Sequence, residues 1–227
     1  MTIDWTMIVN WIPSTMRRNF EIFGLCMGWF AVLAQLYLML QNREAGTAES
    51  LVRFFSFFTI LTNTLVALFF TTRVFGADQK RLALFHKKTT PIALTTFIVV
   101  VGLVYQFVLR EIWDPTGLQM VVDELLHTII PAFMYVYWLM FCARTVVAWK
   151  QLSKWLLYPL GYLVFVMVRG QFSGFYPYPF LNVDELGFGP TLLNVFFVLL
   201  LMLLIMVALY VLGKLLQPKQ WTKYNGQ

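Results

Sequence analysis

The sequence predicts an all-α protein, a polytopic membrane protein built as a bundle of six transmembrane helices. Its 227 residues are 59% hydrophobic and only 12% charged, whereas soluble domains carry about a quarter charged residues. Six apolar stretches, most of them about one bilayer crossing long, occupy most of the chain. Lysine and arginine concentrate in every second connection between these stretches. Composition, stretch length and charge alternation therefore indicate the same class.

The apolar stretches define the domain organisation. They run over residues 20–40, 51–72, 91–109, 125–143, 155–168 and 191–212. We expect residues 20–213 to form one transmembrane domain and residues 214–227 to form a cytoplasmic tail. Residues 1–19 lack the apolar run and cleavage site of a signal peptide, so we expect an interfacial segment there.

The positions of lysine and arginine predict that both chain ends face the cytoplasm. Thirteen of the 17 basic residues flank the two ends or lie in the second and fourth connections. The other four fall on the opposite side: Arg43, Arg53, Arg110 and Arg169. Short connections rich in basic residues stay in the cytoplasm. The net charge of +6 is thereby explained by topology and contact with anionic headgroups, and we expect the lipid bilayer, not nucleic acid, as partner.

Polar residues within the stretches gather in one layer beneath the outer surface. At ~1.5 Å per residue, Thr59 lies about 9 Å below the outer boundary, Gln106 about 6 Å and His127 about 5 Å. Each polar side chain inside a span needs a partner or a function. The layer therefore marks either a site or a set of interhelical hydrogen bonds.

Helical spacing places a polar face on the second stretch, formed by Ser56, Thr59, Thr62 and Asn63. The most plausible partner on another helix is His127. Pro131 lies four residues after His127 and lacks the amide that would bond its carbonyl, so we expect a kink there. A threonine hydroxyl becomes a nucleophile when a base takes its proton, and histidine is the usual base near neutral pH. This pair favours acyl transfer, although each residue alone is typical of interhelical packing.

The sequence contains fewer residues that would support other kinds of site. The chain has two histidines, His86 and His127, and the first lies in a connection, so the sequence offers no paired axial ligands for a transmembrane haem and no histidine cluster for a metal. We see no glycine-rich phosphate loop and no acidic residue near the midplane of a span, where a proton-coupled transporter would need one. We therefore expect neither a cofactor nor a metal.

The motifs resemble a known family. The segments are FFSFFTILTN at residues 54–63 and LHTIIP at residues 126–131, and they resemble the androgen-induced-gene and androgen-dependent TFPI-regulating protein family. Bacterial six-span relatives of that family are also similar through YPLGY at 158–162, Arg169-Gly170 and YPYPF at 176–180. The last motif lies in an aromatic and proline-rich connection, which we expect to form a rigid cap or aromatic belt at the interface.

The resemblance implies an intramembrane threonine hydrolase of lipid esters, such as fatty-acid esters of hydroxy fatty acids, in a bacterial inner membrane. Thr59 would be the nucleophile and His127 the base. The family pattern has asparagine three residues after the threonine, whereas Asn63 is four residues after Thr59, so Thr62 remains a rival nucleophile.

The remaining candidates are auxiliary. Asn63 or Gln106 would donate to the oxyanion, and Arg110 or Arg169 would pair with a carboxylate or headgroup of the substrate. Asp123 lies one turn before His127 and is a candidate to orient it. The alternative to an enzyme is a lipid-binding or transport protein that uses the same polar layer as a cavity. In a third interpretation, the polar residues only hold the helices together.

Overall fold

A computed structural model describes residues 13–76 and 82–217. Within these residues it contains six helices long and apolar enough to cross a membrane, and no β-strand. We number them α1 to α6: Ser14–Gln41, Phe58–Phe75, Thr90–Ile112, Gly117–Phe141, Trp149–Ser173 and Phe188–Leu215. Shorter helices lie in the connections, at Thr47–Phe54, Ala83–His86, Pro179–Leu181 and Val183–Leu186. The predicted all-α six-helix membrane fold is confirmed.

The second span differs from the prediction. The apolar stretch 51–72 suggested one continuous helix, but the short helix ends at Phe54 and α2 begins at Phe58. Ser56 donates its hydroxyl to the carbonyl of Val52 (2.7 Å), and Phe57 has an extended backbone. Side-chain bonds of this kind compete with helix continuation. The break places the start of α2 directly before Thr59.

Parts of the predicted end segments lie outside the described residues. Of the interfacial segment 1–19, residues 1–12 are not described and Ser14 already begins α1. Of the tail 214–227, residues 214–215 end α6 and residues 218–227 lie beyond the described part. Basic residues 80 and 81 of the second connection also fall outside it.

Successive helices alternate in direction. At one end of the bundle, Arg18 near the start of α1 donates to the carbonyl of Arg73 near the end of α2 (3.2 Å). At the same end, Trp155 near the start of α5 donates to Thr89, which precedes α3 (3.0 Å). We call this the terminal end, because residues 13 and 217 lie there, and the opposite end the distal end.

The terminal half of the bundle holds a close-packed aromatic core. Phe69, Phe70 and Tyr137 are fully buried and pack edge to face, with ring centroids 5.0–5.9 Å apart. A Cβ added to Gly24 would lie 2.7 Å from the Phe70 ring, so α1 approaches α2 as closely as a glycine allows. The buried carboxylate of Glu21 accepts from the Tyr137 hydroxyl (2.8 Å), which satisfies the acid in this core.

Candidate functional site

A cavity of about 600 Å³, including its open mouth, lies in the distal half of the bundle. Its wall is formed by α2 to α6 and by the connection between α5 and α6. Most of the wall consists of aliphatic and aromatic side chains. Two polar side chains from different helices, Thr59 and His127, share this wall. The residues that the sequence paired are thus brought to one apolar space.

Thr59 is the second residue of α2, and its position follows from the break before the helix. The first amides of a helix have no intrahelical acceptor. The amide of Thr59 instead donates to the hydroxyl of Tyr178 (3.1 Å), and Thr59 Oγ1 lies 3.2 Å from the same oxygen. Thr59 is only 7% exposed. A tyrosine from the α5–α6 connection therefore holds both polar groups of this threonine.

His127 lies in a π-helical turn, Leu125–Ile129, within α4. Its Nδ1 lies 3.0 Å from the carbonyl oxygen of Asp123 and 3.2 Å from Asp123 Oδ1. Both neighbours are acceptors, so Nδ1 carries the proton in the neutral ring and Nε2 carries the lone pair. The ring stacks on Tyr105 of α3 at a centroid distance of 4.2 Å. Asp123 and Tyr105 together fix the tautomer and the orientation of the imidazole.

Irregular helical turns surround the histidine. Pro131 follows the π-helical turn of α4, and α3 has its own π-helical turn at Tyr105–Leu109. The carbonyl of His127, for which Pro131 offers no amide, faces α3, because a Cβ on Gly102 would lie 3.0 Å from it. The sequence indicated the missing amide at Pro131. The close approach of a glycine on α3 depends on the packing of the two helices.

Asn63 connects the two elements that carry the candidate pair. Its amide nitrogen donates to the carbonyl of Thr59 (2.9 Å) and to that of Leu126 (3.3 Å), the residue before His127. The side chain is fully buried, and its Oδ1 has no hydrogen-bond partner among the described residues. In this arrangement Asn63 cross-links α2 to α4 behind the cavity wall. Its amide protons point to backbone carbonyls.

Thr62, the rival nucleophile, is bonded away from this cavity wall. Its hydroxyl lies 3.2 Å from the hydroxyl of Tyr158 on α5, and it is completely buried. Ser56, on the same predicted face, bonds the backbone of the preceding short helix. Of the polar face predicted on the second stretch, Thr59 is the member that reaches the cavity wall.

Gln106 and Arg110 belong to a separate polar network between α3 and α4. Arg110 donates to Gln106 Oε1 and to Glu124 Oε1, each at 2.6 Å. Gln106 donates to the hydroxyl of Thr128 (2.8 Å), which donates in turn to Glu124 Oε2 (2.6 Å). The network saturates these groups with one another next to the cavity. It joins α3 to α4 through Glu124 and Thr128, which lie before and after His127 in the chain.

Arg169 lies at the distal end of α5 and pairs with Glu49 of the short helix before α2 (2.6 Å). Arg53 donates to the same carboxylate at 2.8 Å. The hydrogen bond from Arg53 lowers the pKa of the Glu49 carboxyl most, and the hydrogen bond from Arg169 lowers it further. Both guanidinium groups also lie over the ring of Phe175, 4.6 Å from its centroid for Arg53 and 4.9 Å for Arg169. The cluster fastens the α5–α6 connection over the start of α2.

Tyr178 is the site residue that the sequence did not single out. The sequence indicated a rigid aromatic cap, and the cap contains the stacked pair Tyr178–Phe180, with centroids 5.2 Å apart. Tyr178 also packs edge to face on Phe57, next to the helix break. The alternation of proline with aromatic residues was the available signal, but it does not indicate which hydroxyl turns inward.

Comparisons with known proteins do not assign a family: no family model, no curated protein and no solved structure matches the chain. The chemistry of the site is therefore inferred from its own residues.

Proposed function

We propose that the protein is an intramembrane hydrolase of lipid esters, in which Thr59 is the nucleophile and His127 the general base. The observation that carries the proposal is the shared cavity wall: Thr59 and His127, whose ring is oriented by Asp123, line one apolar space. A nucleophile, a base and a group that orients the base form the arrangement used for acyl transfer on many folds. The resemblance of the motifs at residues 54–63 and 126–131 to threonine hydrolases supports the same class.

The proposed reaction has two steps. His127 Nε2 takes the proton of the Thr59 hydroxyl, directly or through one water, while Oγ1 attacks the ester carbonyl. The tetrahedral intermediate expels the alcohol, which receives the proton from His127, and leaves an acyl-threonine ester. Water, deprotonated by His127, then attacks the acyl carbon and releases the fatty acid with the Thr59 hydroxyl restored. Asp123 stabilises the imidazolium that forms in each step.

Tyr178 is the best-positioned donor for the oxyanion. Its oxygen accepts from the Thr59 amide and lies 3.2 Å from Thr59 Oγ1, so its hydroxyl is close enough to donate to a substrate oxygen held next to Oγ1. The amides of Asn63 and Gln106, the donors expected from the sequence, already bond other groups. We therefore assign oxyanion stabilisation to Tyr178, and the positioning of the two helices to Asn63.

The shape of the cavity supports an acyl chain as substrate. Along α3 the wall extends from Leu109 to Val100, about 13 Å at ~1.5 Å per residue, and along α6 it extends from Val195 to Met202, about 10 Å. On both runs the residues that line the cavity are apolar, and both runs reach towards the middle of the bundle. An extended hydrocarbon chain fits this direction, with its ester group beside Thr59. A fatty-acid ester of a hydroxy fatty acid, or a similar lipid ester, meets these requirements.

We also propose the orientation of the protein. The terminal end faces the cytoplasm, because 13 of the 17 basic residues belong to that side and basic connections stay in the cytoplasm. The cavity then opens in the outer half of the bilayer of a bacterial inner membrane. Water for the second step would come from the outer surface, close to His127.

The test is covalent labelling of the purified protein with a fluorophosphonate probe, followed by mapping of the modified residue by mass spectrometry. We expect the probe on Thr59 in the wild type, and labelling reduced by at least about 100-fold in Thr59→Ala and in His127→Ala. Thr62→Val is the matched control, since that hydroxyl bonds Tyr158. It should label like the wild type.

Two results would refute the mechanism. Equal labelling of Thr59→Ala and wild type shows that Thr59 is not the nucleophile. Absence of labelling in all variants, together with co-purified lipid in the cavity, favours the alternative of a lipid-binding or transport protein.

A further inference from the structure

A second, shallow cavity lies at the terminal end of the bundle, and its volume is about 310 Å³ when the solvent at its open mouth is included. It is bounded by the segment that enters α3, by the end of α4 with the residues that follow it, and by the end of α6. Lys88 contributes from the α3 side and Lys214 from the α6 side. This cavity shares none of its lining residues with the candidate active site, at the other end of the bundle.

The electrostatics of this cavity favour an anion. Its lining, as far as the chain is described, contains two lysines and no acidic residue. Within residues 13–76 and 82–217, neither Lys88 nor Lys214 forms a salt bridge with a carboxylate. The ammonium of Lys214 lies 4.7 Å from the centroid of the Tyr210 ring, which keeps it at the wall. The positive end of the α3 macrodipole begins at Thr90, next to Lys88, and adds to the potential.

The polarity of the wall changes with depth. Lys88, Lys214 and Gln217 supply its polar side chains, together with Thr145. Trp138 and Ile92, which are 2% and 4% exposed, lie deeper among the helices. A small soluble anion gains nothing from apolar surface, whereas a lipid places a charged phosphate beside hydrocarbon. Basic pockets between transmembrane helices are typical binding sites for anionic headgroups.

We propose that this cavity binds the phosphate group of an anionic phospholipid, with Lys88 and Lys214 as its two cationic contacts. The bound lipid bridges α3 and α6, which reach the cavity from distant parts of the chain. Its binding therefore stabilises the folded bundle by mass action. The site does not depend on the hydrolase proposed above.

The experiment is thermal unfolding of the full-length protein in a neutral detergent during titration with short-chain phosphatidylglycerol. Phosphatidylcholine of the same chain length and inorganic phosphate are titrated in parallel. We expect phosphatidylglycerol to raise the Tm and the two other compounds to leave it nearly unchanged. Each of Lys88→Gln and Lys214→Gln should weaken the apparent affinity about 5-fold at low ionic strength, and the double variant about 25-fold.

The matched control is the double variant K150Q/K154Q, which removes the same charge from exposed lysines in the first turns of α5. It should respond to phosphatidylglycerol like the wild type. An unchanged response in K88Q/K214Q, or an equal loss in the control, overturns the site. A Tm rise with inorganic phosphate equal to that with phosphatidylglycerol overturns a lipid as the source of the phosphate. If K88Q/K214Q does not fold, the two single variants decide the question.

Discussion

The two halves of the bundle are built differently from the same six helices. In the terminal half, α1, α2 and α4 are regular and meet through glycines and buried aromatic rings, as at Gly24 and Phe70. In the distal half, the helix before α2 ends at Phe54 and both α3 and α4 contain π-helical turns. Here the helices are joined by polar side chains around a cavity.

The difference shows how a membrane protein combines rigidity with an internal space. Close contact between helices provides the dispersion energy that stabilises a bundle in lipid, where the hydrophobic effect between helices is absent. A cavity forfeits part of that energy. The distal half replaces it with interhelical hydrogen bonds such as those of Asn63 and Tyr178. We therefore expect substitutions in the terminal half to change stability, and substitutions in the distal half to change activity.

The largest expected effect is on the orientation of His127. Asp123→Ala removes the carboxylate that orients the ring and stabilises the imidazolium, although the backbone carbonyl at 3.0 Å from Nδ1 remains. We expect kcat for ester hydrolysis to fall roughly 10³-fold, with a change in Tm of only a few degrees. Glu111→Gln, an exposed acid of the same end, is the control and should retain activity. A rate for Asp123→Ala within threefold of the wild type would remove Asp123 from the mechanism.

An intermediate effect on stability is expected at two glycines, one in tight packing and one beside open space. Gly24→Ala places a Cβ 2.7 Å from the Phe70 ring, and overpacking of this kind costs about 1–3 kcal/mol. Gly161→Ala, on α5, meets no atom of the described residues within 4 Å. It should be neutral or stabilise the helix by about 0.5–1 kcal/mol. Unfolding in detergent measures both variants, and equal changes would show that the terminal core is not close-packed.

The smallest effect is expected at the cap. Tyr178→Phe keeps the ring but removes the partner of the Thr59 amide and hydroxyl. One lost hydrogen bond is worth about 1 kcal/mol, so we expect hydrolysis to fall about 5- to 10-fold with a small loss of stability. Tyr176→Phe, in the same connection, should behave like the wild type. Equal rates for the two variants would exclude Tyr178 as the oxyanion donor.

The sequence predicted the candidate site in part. Thr59 and His127 were singled out because a polar side chain inside an apolar stretch is conspicuous, and helix direction gave each a depth. Arg110 and Arg169 were equally conspicuous, but the structure pairs them with Glu124 and Glu49. Tyr178 was missed because it lies 119 residues from Thr59 in a connection with several similar aromatic residues. Nothing local distinguishes the tyrosine that turns inward.

The number and the approximate positions of the spans were determined by the sequence alone. The free energy of transferring a helix into lipid is a sum of contributions from neighbouring residues, so it can be read from the sequence. The break at residues 55–57 was not, since hydropathy is continuous across it and a side-chain bond decides it. The cavity, the tautomer of His127 and the contact of Tyr178 with Thr59 arise between helices that are distant in the chain. These features depend on which surfaces pack together, and only the tertiary structure decides that.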